Sequence, residues 1–111
     1  MSVLFVPKVQ EYLYELENIL YEKGYYSYED AAIKYVDNLI YDIKTNLPDK
    51  QHKPAPKHYN QYGTGLYYAA FKKNRQTSWY VFFSKYIENE DIIYVVCYIG
   101  NNHTEAHRLY E

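Results

Sequence analysis

Arg75 stands at a short polar turn, directly after Lys72, Lys73 and Asn74. A planar guanidinium forks onto two phosphate oxygens at once, which an ammonium cannot do, so Arg75 is the stronger anion ligand and the two lysines are its neighbours. These residues belong to a segregated charge pattern. Residues 1–43 hold three lysines against eight acids (net −5), residues 44–85 hold seven lysines and Arg75 against Asp49 alone (+7), and residues 86–111 hold Arg108 against five acids (−4). A basic centre between acidic flanks predicts one localised anion-binding face. His103 adds a different capacity, because imidazole is the side chain that exchanges protons near neutral pH. The same residues also suit a solvated hairpin tip and an ordered strand–helix junction, and the sequence leaves both readings open.

Residues 49–65 carry Lys50, Lys53, Lys57, His52 and His58 among Pro54, Pro56, Gly63 and Gly65, with no usable periodicity. A loop this long in a small domain is expected to be functional or mobile. Lys53, Lys57 and His58 are candidates for holding nucleic-acid phosphates, and Tyr110 for stacking on an unpaired base. For Tyr110 and His107 a solvated tail is the stronger reading. His103 and His107 are four apart, but His-Thr-Glu-Ala-His displaces the acid of the His-Glu-x-x-His zinc motif by one place. A metal would need a third ligand from Glu111 or the basic loop, and no metal or cofactor is predicted.

The elements that must position these groups read clearly. Residues 66–72, 76–86 and 92–100 are rich in aromatic and β-branched residues and are separated by polar turns at 73–75 and 88–91. Such spacing predicts a three-stranded antiparallel meander. Alternation places Leu66, Tyr68 and Ala70 on one face and Tyr67, Ala69 and Phe71 on the other. With 17 tyrosines in the chain, the face that does not meet helices is expected to expose aromatic surface to a partner or nucleic acid.

Ahead of the meander, residues 2–6 form a short apolar run stopped by Pro7. Val9, Tyr12, Leu13, Leu16, Ile19 and Leu20 then recur at helical spacing, up to Gly24. Ser27 and Asp30 resemble a capping box that opens a second helix with the stripe Ala32, Tyr35, Val36, Leu39, Ile40, Ile43 and Leu47, ended by Pro48. The two helices should form a tight antiparallel hairpin on one face of the sheet. Asn101 or Asn102 can cap a last short helix at 103–110. The predicted class is therefore α+β, in the order β-α-α-β-β-β, with a helical hairpin on one face and a short C-terminal helix.

At 111 residues the chain reads as one domain. No apolar run reaches the roughly 18 residues that a membrane span needs. The first residues lack the character of a signal peptide, and Cys97 is alone, so a cytoplasmic protein is predicted. Cys97, flanked by Val96 and Tyr98, reads as a small core residue.

With these features assembled, the chain resembles the RelE/ParE superfamily, the toxin halves of bacterial type II toxin–antitoxin systems. The resemblance covers nearly the whole chain. It rests on the opening strand, the helical hairpin, the basic Pro54-Ala-Pro-Lys-His-Tyr stretch, the run Phe71-Lys-Lys-Asn-Arg-Gln-Thr-Ser-Trp-Tyr-Val-Phe-Phe and the closing Tyr98-Ile-Gly-Asn-Asn-His103. It implies a toxin neutralised by a cognate antitoxin protein. The superfamily includes ribosome-dependent mRNA endonucleases and DNA gyrase inhibitors. In the former, which cleave RNA through its own 2′-hydroxyl without a metal, Arg75, Lys72 and Lys73 would stabilise charge on phosphorus, and His103 would move protons. The slightly acidic net charge and the single Arg108 in residues 86–111 fit a non-catalytic binding toxin better.

Overall fold

The computed structural model describes residues 2–109. Strand β1 (Ser2–Phe5) leads into helix α1 (Pro7–Glu22) and helix α2 (Glu29–Asn46). The short strand β2 (Lys53–Pro54), the meander strands β3 (Tyr67–Lys72), β4 (Ser78–Glu88) and β5 (Asp91–Asn101), and helix α3 (Asn102–Leu109) complete the order. One sheet, ordered β1-β5-β4-β3-β2, contains all five strands. The meander is antiparallel, while β1 lies parallel to β5 with Ser2 opposite Ile93 and Phe5 opposite Val96. The architecture is the expected α+β arrangement with one strand more.

Pro7 does more than stop β1: it is the first residue of α1, where its missing N–H costs nothing. Gly24 ends that helix at φ +77°, a conformation that favours glycine. The expected capping box is not formed. Tyr28, in extended conformation, is the residue before α2, and no side chain caps that helix. Glu29 and Asp30 in the first turn meet the helix dipole instead. Asn89 and Glu90 both take positive φ in the two-residue turn between β4 and β5, as a tight hairpin requires.

Each sheet face has its own core. Val9, Leu13 and Leu16 of α1 and Val36, Leu39 and Ile43 of α2 pack on Ala69, Phe71, Trp79, Val81, Phe83 and Val96. The Trp79 indole N–H donates to the Tyr35 hydroxyl at 2.9 Å, which fixes α2 against β4. The opposite face is only partly open, which corrects the expectation of a broad aromatic surface. Residues 49–65 are not an irregular loop. They contain β2, which pairs with β3, and a 3-10 turn (Lys57–Gln61) that carries Tyr59 onto Phe82 with ring centroids 4.2 Å apart. Tyr59, Leu66, Phe82 and Leu109 form this second core, with Tyr62, Tyr68, Tyr80, Cys97 and Tyr98 packed around it.

A β-bulge aligns the two faces. Phe82 pairs with Tyr98 but Phe83 pairs with Val96, so Cys97 has no residue opposite it in the β4–β5 register. The extra residue lets Val96 face the helices while Tyr98 faces Tyr59 and Tyr62. Cys97 is half-buried, and burial pushes its thiol above the ordinary range. No helix among the described residues is long and apolar enough to cross a membrane.

Candidate nucleic-acid interface

The open half of the second face lies beside the free edge of β3. Because β2 pairs only with Tyr67 and Tyr68, no strand among the described residues lies beside the remainder of β3 on that side. There a groove of about 290 Å³ is lined by Lys50, Gln51, Lys53, Tyr68, Ala69, Ala70 and Tyr80. Tyr68 and Tyr80 meet edge to face with centroids 6.1 Å apart, and both are half-buried. Ala70, opposite Tyr80 in the ladder, leaves room above the sheet. Lys50 lies over the Phe71 ring at 4.9 Å, which holds its stem along the groove's edge. Small residues between aromatic walls, with ammonium groups at the rim, are what unpaired bases and their phosphates need.

Beyond Ala70 and Tyr80 the two strands lead to the β3–β4 turn. Lys72 follows Ala70 on the same face of β3, pairs with Ser78 and is exposed. Arg75 is exposed in the turn itself. Asn102 draws the start of α3 to this place: its side chain accepts from the Ser78 N–H at 2.9 Å and donates to the Gln76 carbonyl at 3.0 Å. His103 is the next residue, so Arg75, Lys72 and His103 share one end of the sheet. Asn101 caps α3 by accepting from the backbone N–H groups of His103 and Thr104 at 2.9 and 3.2 Å. The His103 side chain is exposed beyond that cap.

Lys73 is the exception among the expected catalytic residues. It alternates to the helical face, and its ammonium meets the Asp42 carboxylate of α2 at 3.1 Å. Burial raises the Asp42 carboxyl, but the Asn46 amide, 2.7 Å away, and Lys73 outweigh that and hold it below its ordinary value. Lys73 therefore joins hairpin to helix and does not reach the groove. Lys53 lines the groove as expected, whereas Lys57 and His58 sit exposed on the 3-10 turn outside it. His58 packs on Tyr59 at 4.6 Å between centroids. His52 is taken up on the helical side, bonded to the Leu47 carbonyl at 2.9 Å and edge-on to Phe83. Tyr110 lies outside the described residues.

Beside the groove, under α3, sits a polar cluster that sequence reading missed. Glu105 is 1% exposed. Its carboxylate accepts from the Tyr59 hydroxyl at 3.0 Å and the Tyr98 hydroxyl at 3.1 Å, and it pairs with Arg108 at 3.1 Å. The Arg108 guanidinium also lies over the Tyr59 ring at 4.7 Å, and Tyr62 stacks on Tyr98 with centroids 3.9 Å apart. Burial first, and then the adjacent Glu105 charge, push both phenols well above the ordinary tyrosine range. The phenols are thus held protonated as donors, and a buried carboxylate with three donors is satisfied. Arg108, the basic residue of the C-terminal segment, is engaged here and not in the groove.

Among the described residues no three His, Cys, Asp or Glu side chains converge as a metal site would require. No family model, curated protein or solved structure matches the chain.

Proposed function

We propose that this chain is a RelE/ParE-like toxin that binds single-stranded RNA in the groove and cleaves it as a ribosome-dependent mRNA endonuclease, held in check by an antitoxin protein. The observation that carries this reading is a Lys- and Tyr-lined groove on the same strand pair whose far end bears Lys72, Arg75 and His103. The order of elements and the helical hairpin on one face also support the resemblance.

In the proposed reaction the 2′-oxygen forms a bond to phosphorus as the bond to the 5′-oxygen breaks. The proton lost from the 2′-hydroxyl goes to a base, and the leaving 5′-oxygen takes one from an acid. Arg75 and Lys72 face the non-bridging oxygens as charge grows there. His103 serves one of the two proton transfers. Tyr68 and Tyr80 hold a neighbouring base and Lys53 its phosphate, so that attack occurs in line.

A non-catalytic binding toxin, acting on DNA gyrase or another protein, is the second reading. It is favoured by the loss of one expected cation from the site, Lys73 to Asp42, and by the pairing of Arg108, the single basic residue of 86–111, with Glu105. Induced expression in a bacterial host separates the two. Growth arrest with new, translation-dependent 5′ ends on transcripts, abolished by Arg75→Ala and His103→Ala, is the result expected for the endonuclease. Arrest with intact transcripts moves the protein to the second reading, and normal growth removes the toxin reading in that host.

A further inference from the structure

The outer side of the helical hairpin contains a second concavity, remote from the RNA groove. A cavity of about 320 Å³ opens where β1, α1 and α2 meet. Phe5, Leu13 and Ile40 supply apolar walls, and Tyr14, Glu17 and Lys44 stand around them. Tyr14 is 71% exposed, as is Tyr41, the residue after Ile40. Lys44 has its ammonium 5.6 Å from the Phe5 ring centroid, so its charge is turned onto an aromatic face. The remaining charge is negative. Residues 7–46 hold four lysines against eight acids. Glu17 illustrates the imbalance: burial raises its carboxyl, and the carboxylates of Asp37 and Glu29 raise it further.

We infer that this cavity is a docking site for a cationic, apolar polypeptide segment of a partner protein, which places an aliphatic side chain against Leu13 and Ile40 and Arg or Lys side chains against Glu17 and Asp37. Charge complementarity selects the occupant. Apolar walls fit any aliphatic residue, but the repulsion that Asp37 and Glu29 exert on the Glu17 carboxylate is relieved when a cation arrives. Exposed Tyr14 and Tyr41 add faces on which a guanidinium can lie. An acidic segment would meet like charge at the Glu17 and Asp37 side of the cavity, with Lys44 its single lysine neighbour among the lining residues. A nucleic acid is disfavoured on the same ground.

The test uses the full chain, labelled for NMR, and two synthetic twelve-residue peptides. One repeats Leu-Arg-Leu-Lys, and the other has Glu in place of every Arg and Lys. The cationic peptide is expected to shift the Leu13 and Ile40 methyl signals saturably, and the acidic one to leave them in place. Glu17→Lys with Asp37→Lys should weaken binding at least tenfold, and Tyr14→Ser at least threefold, with far-UV circular dichroism unchanged. Tyr14→Ser is included because it alters the apolar wall without touching charge. Equal binding of both peptides, no methyl shifts, or indifference to Tyr14→Ser would each overturn the assignment. Concentration-dependent shifts of the same methyls without peptide would assign the site to a second copy and overturn it as well.

Discussion

Gly100 and Glu105 occupy the same space from two elements. A Cβ built on Gly100 would lie 2.6 Å from Cγ and 2.8 Å from Cδ of Glu105. The buried carboxylate of α3 therefore rests on a bare stretch of β5 backbone, and the site depends on that glycine.

Gly100→Ala forces the Glu105 side chain away from Tyr59, Tyr98 and Arg108. Loss of those partners inside the second core should destabilise the fold by about 2–3 kcal/mol. Urea unfolding measures this. In a double-mutant cycle with Glu105→Ala the two costs should be strongly non-additive, since the second substitution removes what the first collides with. Additive costs would show that the two residues do not share that space.

The phenols of Tyr59 and Tyr98 predict a pH dependence at the alkaline end. Their folded pKa values lie above the value of about 10 of an unfolded tyrosine. The folded state thus binds protons that the unfolded state releases. The corresponding stability is complete below pH ~10 and is lost as pH rises above it. Spectrophotometric titration should show a group of tyrosines ionising only as the fold is lost. Glu105→Gln should bring that step to lower pH, because it removes the neighbouring negative charge.

Lys73 and Arg75 should behave oppositely although they are two residues apart. Lys73→Met breaks the ion pair with Asp42 and should cost about 0.5–1 kcal/mol of stability while leaving RNA binding intact. Arg75→Ala should leave stability unchanged and reduce both RNA affinity and toxicity. Reduced RNA affinity of Lys73→Met would return that lysine to the site.

The groove itself is tested by fluorescence anisotropy with a short single-stranded RNA. Tyr80→Ala should weaken binding by about 1–3 kcal/mol through lost stacking. Lys53→Gln should weaken it less and reduce the salt dependence by close to one phosphate contact. Unchanged salt dependence in Lys53→Gln would place the phosphates elsewhere.

The helices α1 and α2 and the strand β4 were legible because each keeps one period. The α1 stripe Val9, Leu13, Leu16 and the alternation of Trp79, Val81 and Phe83 are both found in the helical-face core. The features that were not legible share one cause: their partners are distant in the chain. Tyr59 sits in a proline-rich stretch without periodicity, and only its contact with Phe82 and Glu105 makes it core. Glu105 reads as a solvated helix residue until Tyr59 and Tyr98 are seen above it. The bulge at Cys97 leaves no mark in composition. The candidate site divides in the same way. Lys53, Lys72, Arg75 and His103 were identifiable by type and position. Alternation alone would have turned Lys73 toward the helices, yet its partner Asp42 was visible only in three dimensions.

The pairing of Ser2–Phe5 with Ile93–Val96 also sets a timetable for synthesis. Strand β1 emerges from the ribosome and then waits until Ile93–Val96 have been made before its neighbour exists. Until then α1 and α2 carry apolar stripes that an incomplete sheet must cover, and the edge of β5 that β1 will close has not been made. Long-range parallel closure of this kind is slow and leaves the intermediate prone to proteolysis and aggregation. A ribosome that stalls before β5 releases a fragment unable to complete either core, since Val96 and Ile99 belong to one and Tyr98 packs on the other.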